Sequence, residues 1–229
     1  RAARLEEWAE DLERAVAGGA PRDPRLAALG DTVARRRLDP DLFRRLVEAN
    51  RMDQRTDRWA TYEDLVHYCA HSATPVGRMV LGVLGYHDEW RGGLSDATCE
   101  GLQLVNFWQD VRRDLDERGR IYLPAEDMTR FGVEERDLHA APAAPQVRRL
   151  IEFEVERARE RLHAGAPLAR LVPRRAGAYL RMFTAGGLAI ADAIAARGYD
   201  TVSGRPAPGR RGRARITART LAAMLRGRA

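Results

Sequence analysis

The chain has 229 residues, enough for one sizeable core, and its 45% hydrophobic and 31% charged composition with a formal net charge of +6 is that of a globular domain. All 39 basic residues are arginine and alanine is equally overused, so the charge reflects a compositional bias. No nucleic-acid-binding module and no basic face interleaved with aromatics accompanies it, which argues against a nucleic-acid partner.

Helix formers dominate and alternating β-branched runs are nearly absent, which predicts an all-α fold. Residues 4–17 place Leu5, Trp8, Leu12 and Val16 at helical spacing, and Gly18, Gly19 and Pro21 end the run. A second helix follows Pro24. A third starts at Pro40 with Asp39 as its cap, and a fourth opens at Thr61, whose partner Asp64 stands three residues on as in a capping box. A short apolar helix follows Pro75. Residues 94–119 form the best-defined helix, with Ser95 as cap and Gly119 as stop. After the extended IYLP and a loop containing Pro142 and Pro145, two long helices are expected over 146–164 and 174–197, with Tyr179, Met182 and Phe183 as core or cavity residues. The Arg/Gly/Pro-rich segment 203–215 reads as irregular, and 216–227 as a last short helix. The whole is expected to be a single domain.

Cys69 and Cys99 have no CxxC partner and read as buried thiols of a reducing compartment, the cytoplasm. The longest apolar run, 185–196, is broken by Asp192 and too short to cross a bilayer, and no signal peptide is visible. His67 and His71 are four apart, but Tyr68 stands where a zinc protease needs glutamate. Trp8, Trp59 and Trp90 are expected in the core or at an interface.

The chemistry concentrates in QLVNFWQDVRRDLDERGRIYLP, residues 103–124. At about 100° per residue, Gln103, Asn106, Asp110 and Asp114 fall on one polar stripe beside the apolar stripe of Leu104, Phe107, Val111 and Leu115. Carboxylates there need a counter-charge, since desolvating them alone is costly. Asp110 and Asp114 are separated by about 6 Å of helix rise, and oxygen ligands without thiol or imidazole favour Mg²⁺, which usually arrives with substrate phosphates. The competing reading of a lone DxxxD is a solvated acidic face paired with Arg112 and Arg113.

The string resembles the second aspartate-rich motif of the squalene and phytoene synthase family, Q-x-x-N-x-x-x-D-x-x-x-D followed by G-R-x-Y-[LF]-P. RMDQ (51–54), YEDLVHYCAHSATPVGRM (62–79) and GLAIADAIAARGYDTVSGRP (187–206) extend the likeness over nearly the whole chain. The resemblance implies an isoprenoid synthase fold around a central cavity and Mg²⁺-dependent chemistry on a prenyl diphosphate. It makes Asp110, Asp114 and Asn106 metal ligands and Gln103 a residue that completes or orients the metal shell. Asp53 and Tyr68 then face the cavity, with Tyr68 in the catalytic set, and Arg120 and Tyr122 contact diphosphate. NFWQD resembles the hydroxysqualene synthase branch, which implies conversion of presqualene diphosphate and water to hydroxysqualene. A presqualene diphosphate synthase and a squalene-forming reductase would be its pathway partners. Gln109, where relatives usually carry arginine, would then suit water capture near the ionising carbon.

Head-to-head condensation of farnesyl or geranylgeranyl diphosphate and a non-catalytic assembly role are the alternatives. The family's first aspartate-rich motif, of the D-D-x-x-D type, does not occur in the 229 residues, and the chain opens at Arg1 inside a helix, which reads as N-terminal truncation. The arginine-rich tail from Arg205 could rest on anionic lipid as a peripheral contact, or be solvated.

Overall fold

The computed structural model describes residues 2–209 together with Ala214, Ala218 and Ala222, and the described residues are all-helical apart from one isolated bridge between Arg58 and Ile121. The expected last helix over 216–227 lies outside them except for Ala218 and Ala222. In chain order the α-helices are α1 (Ala2–Val16), α2 (Pro24–Arg36), α3 (Asp41–Met52), α4 (Tyr62–Ser72), α5 (Thr74–Val83), α6 (Glu89–Gln109), α7 (Val111–Arg118), α8 (Ala125–Phe131), α9 (Pro145–Gly165) and α10 (Arg174–Ala196).

Caps explain several boundaries. Asp23 accepts from Arg25 N–H before Pro24, and Asp39 accepts from Asp41 N–H. Thr61 and Asp64 form the full reciprocal capping box at α4, at 3.1 and 3.0 Å. Gly119 closes α7 in the left-handed region at φ 65°, where a side chain would be strained.

The helix expected over 94–119 differs at both its start and its middle. It begins at Glu89, capped by Asp88, so Ser95 is a buried residue inside the helix and not its cap. It also breaks at Asp110 (φ −106°, ψ 15°), and α7 restarts from there. No glycine or proline marks this break. The apolar stripe continues across it, and Leu104, Phe107, Val111 and Leu115 all remain buried.

The main core lies between α6 and α9, centred on Trp108, Leu104, Val105, Leu150, Ile151 and Val155, with α4, α10 and the 121–123 segment packed around it. A second cluster joins α1, α2 and α3 through Leu12, Leu26, Val33, Phe43 and Val47. Trp59 is core, whereas Trp8 and Trp90 are exposed, as are Tyr179 and Phe183 on α10, so the core alternative does not hold for these four. Cys69 is fully buried and Cys99 half-buried, and both are free thiols whose pKa burial pushes up.

α6 and α9 approach closely enough to exclude a methyl group at Gly165, where a Cβ would stand 2.1 Å from Thr98 Oγ1 and 2.7 Å from the Leu94 carbonyl oxygen. Because backbone lies on the other side, Gly165→Ala must push the helices apart, and it is expected to cost about 3 kcal/mol, read as a fall in the denaturation midpoint.

α9 also carries a buried ionic group. Glu154 is fully buried, Arg157 reaches Asp127 at 2.7 Å and Glu154 at 3.3 Å, and Arg161 reaches Glu100 at 2.8 Å. The Arg157 guanidinium lies between the rings of Tyr62 and Phe153, at 4.3 and 4.2 Å. Glu154 Oε2 has no hydrogen-bond partner.

Candidate active site

A cavity of about 680 Å³ is lined by Asp53, Tyr68, Gln103, Asn106, Asp114, Arg120 and Tyr122, together with Gln54, Arg55, Thr56, Asp57, Phe107, Glu117 and Arg118. Seven of the nine residues singled out in the sequence therefore meet in one place. The exceptions are Asp110 and Gln109.

Each residue is held by a local device. Asp53 stands at the C-cap of α3, and its Oδ1 accepts the Tyr68 hydroxyl at 2.8 Å and pairs with Arg120 Nη1 at 3.0 Å. Arg120 also donates to the Tyr122 hydroxyl at 3.1 Å and to the Asp53 carbonyl. The GRIYLP segment is fixed in extended form because Ile121 N–H donates to Asp57 carbonyl and Ala125 N–H to Trp59 carbonyl. Behind it the rings form a shelf, with Phe107 and Tyr122 stacked at 3.7 Å and Trp59 and Tyr122 at 4.5 Å between centroids. Burial raises the phenol pKa of both Tyr68 and Tyr122, so both stay protonated donors.

Asp114 is 5% exposed and pairs with Arg118 at 3.0 Å. Burial pushes its carboxyl above the usual range, opposed mainly by Arg118. Neither Arg112 nor Arg113 pairs with it, although the Arg113 charge opposes the rise more weakly than Arg118 does. Their i,i+4 partners are Asp116 at 2.6 Å and Glu117 at 3.1 Å, so the solvated-face reading describes only the outer side of α7.

Asp110, at the break in the helix, is not among the residues lining the cavity, and its carboxylate takes both nitrogen contacts from Arg205. The next residue back, Gln109, is 2% exposed and donates its amide to the Pro206 carbonyl. Gln109 therefore anchors the C-terminal segment and does not face the cavity, which corrects the expected role in water capture. Arg205 was read as part of a free, solvated or lipid-facing tail, and here it is docked. A 95-residue separation between Asp110 and Arg205 leaves no local sequence signal.

Asp114, Asn106 and Gln103 supply oxygen donors without thiol or imidazole. No group of three or more His, Cys, Asp or Glu side chains among the described residues could hold a metal ion by itself. That set fits Mg²⁺ as it is usually bound, by one or two carboxylates together with substrate phosphates. The rings of His67 and His71 are tilted 4.6 Å apart without a third such ligand.

An all-helical fold with polar side chains of α3, α4, α6 and α7 converging on one cavity defines the class. The chain belongs to the squalene/phytoene synthase family, whose pattern it matches over residues 1–220. It is 38% identical over 170 residues to a 15-cis-phytoene synthase of Synechococcus elongatus, covering 69% of this chain and 54% of the relative. A hydroxysqualene synthase of Rhodopseudomonas palustris is 32% identical over 164 residues, with 71% and 56% covered. The crystal structure of squalene synthase HpnC from Alicyclobacillus acidocaldarius superposes with a TM-score of 0.83 at 46% identity, covering 86% of this chain and 74% of that one. The likeness identifies the fold as that of the isoprenoid synthases. The chain spans about half the length of the curated relatives it matches. Among the described residues no helix is long and apolar enough to cross a membrane.

Proposed function

We propose that this chain acts in a Mg²⁺-dependent ionisation of a prenyl diphosphate, with presqualene diphosphate and water giving hydroxysqualene and diphosphate. The observation that carries the reading is the convergence of Asp114, Asn106, Gln103, Arg120 and Tyr122 on one largely polar cavity of a size to hold a diphosphate. The NFWQD string and the hydroxysqualene synthase relative support the choice of reaction.

Bound Mg²⁺ would supply charge stabilisation for the leaving diphosphate as the C–O bond breaks. The chain's own residues do the rest. Arg118 and Arg120 present cationic nitrogens toward the cavity, and the Tyr122 hydroxyl adds a donor that remains protonated. The rings of Tyr68 and Phe107 line the same space and would favour a carbocation over an open face, whereas the faces of Tyr122 are covered by Phe107 and Trp59. Opening of the cyclopropylcarbinyl cation and addition of water, with loss of one proton, completes the balance without a reductant.

Apolar surface for the isoprenoid chain is available on two of the helices that pack against α6. Val76, Val80 and Leu84 on and just after α5, and Tyr179 and Phe183 on α10, are all exposed. The phytoene synthase relative at 38% identity favours a second reading, head-to-head condensation of two prenyl diphosphates. Supplying presqualene, farnesyl and geranylgeranyl diphosphate separately with Mg²⁺ and no NADPH distinguishes them. Hydroxysqualene from presqualene diphosphate alone is the expected product, and phytoene or presqualene diphosphate from the shorter substrates would replace this reading by the second.

A further inference from the structure

The contacts at the α6/α7 break form a latch. Two consecutive residues of the break hold two consecutive residues of the C-terminal strap: Asp110 takes the Arg205 guanidinium through both oxygens, and Gln109 donates to the Pro206 carbonyl. Asp110 is 5% exposed, and Arg113 Nη1, at 4.0 Å, is a second cation near it among the described residues. The strap itself is built to deliver Arg205. Asp200 accepts from Ser203 N–H at 2.9 Å and Ser203 Oγ at 2.7 Å, Arg148 pairs with it at 3.3 Å, and Arg197 donates to the Gly204 carbonyl at 3.1 Å.

Asp110 N-terminally adjoins the turn that carries Asp114, whose N–H donates to the Asp110 carbonyl at 2.8 Å. One carboxylate therefore lines the cavity while the other is spent on a guanidinium. A fork from arginine engages both oxygens in the plane of the carboxylate, which is the geometry a metal ion would need to enter. Gln109 Oε1 is buried without a partner among the described residues, so the closed latch carries an unmet hydrogen bond there.

We propose that Arg205 is a built-in counter-ion that competes with a divalent cation for Asp110, so that the 200–206 strap must release Asp110 before this carboxylate can serve as a ligand. This rests on the metal-dependent reading given above for Asp114, Asn106 and Gln103.

The test is Mn²⁺ binding in the presence of inorganic diphosphate, followed by the loss of the free Mn²⁺ resonance signal, on the full chain and on Arg205→Gln, Gln109→Ala and Asp114→Asn. Amide exchange of residues 200–207 is measured in parallel. Removing the competing cation should tighten Mn²⁺ binding by roughly tenfold, the value of one charge-assisted pair. Gln109→Ala loosens the strap without changing the charge at Asp110 and should act in the same direction by a smaller factor. In the unaltered chain Mn²⁺ with diphosphate should speed exchange in the strap. Binding that depends on Asp114 but is unchanged or weakened in both Arg205→Gln and Gln109→Ala overturns the latch and leaves the metal reading standing. Absence of Mn²⁺ binding in every variant overturns both.

Discussion

Asp114→Asn is expected to lower product formation by at least about 10²-fold while leaving the unliganded protein as stable as the parent chain, or slightly more so. Asp114 is the one carboxylate of the motif that lines the cavity, and the motif's other carboxylate is held by Arg205. Burial already disfavours its charge, with Arg118 only partly compensating, so replacing it by a neutral isostere removes a desolvated charge at little cost to folding. Turnover and the thermal midpoint, measured on the same preparation, separate the two effects. A large loss of stability would make Asp114 structural, and unchanged turnover would remove it from the site.

The largest pH-dependent change in stability is expected from Glu154→Gln. Burial pushes the Glu154 carboxyl up to about 8, with Arg157 opposing and Asp127 adding to the rise. The groups facing it are Tyr62 on α4, Asp127 on α8 and Arg157 on α9, and Tyr62 links in turn to the Glu100–Arg161 pair. In the unfolded chain a glutamate ionises near 4.3, whereas in the folded chain this one stays protonated until about 8. Between those values the folded state binds the extra proton, so stability falls as pH rises through this window and levels off above it. The full penalty is on the order of 2–4 kcal/mol. Glutamine keeps the shape and removes the charge. Thermal melts should therefore show Glu154→Gln about 5–10 °C above the parent chain at pH 8, and the two converging near pH 5. A constant offset across that range would mean that Glu154 is ionised in the fold.

Much of the helical frame is legible from residue chemistry alone. Pro24, the Thr61/Asp64 pair and Gly119 mark boundaries because each satisfies or ends a backbone hydrogen-bond series in a way few other residues do. The position of Glu154 is legible too, in hindsight. It stands three residues after Ile151 and four after Leu150, on the same stripe as Val147, Val155, Ala158 and Leu162, all fully buried. A carboxyl at that spacing signals a buried polar group before any coordinates.

The helix break at Asp110 was not legible, because apolar periodicity runs through it and no breaker residue is present. Helical periodicity therefore put Asp110 and Asp114 on one stripe, while the fold gives them different partners. Arg205 was hidden for a different reason. Its place is set by the turn around Asp200 and by chain topology, and an arginine in a Gly/Pro-rich segment looks the same whether docked or free. Tyr179 and Phe183 follow helical spacing as core residues would, yet among the described residues both are exposed on α10.

The central claim is that the cavity around Asp114 binds a prenyl diphosphate together with Mg²⁺. Its most direct test is thermal unfolding of the full chain with farnesyl thiodiphosphate, a non-ionising substrate analogue, with and without Mg²⁺. At ligand near 100 times Kd the account predicts about 2.7 kcal/mol of stabilisation, a rise of roughly 5–10 °C that requires Mg²⁺ and disappears in Asp114→Asn. No shift with Mg²⁺ present, or the same shift without it, would contradict the account.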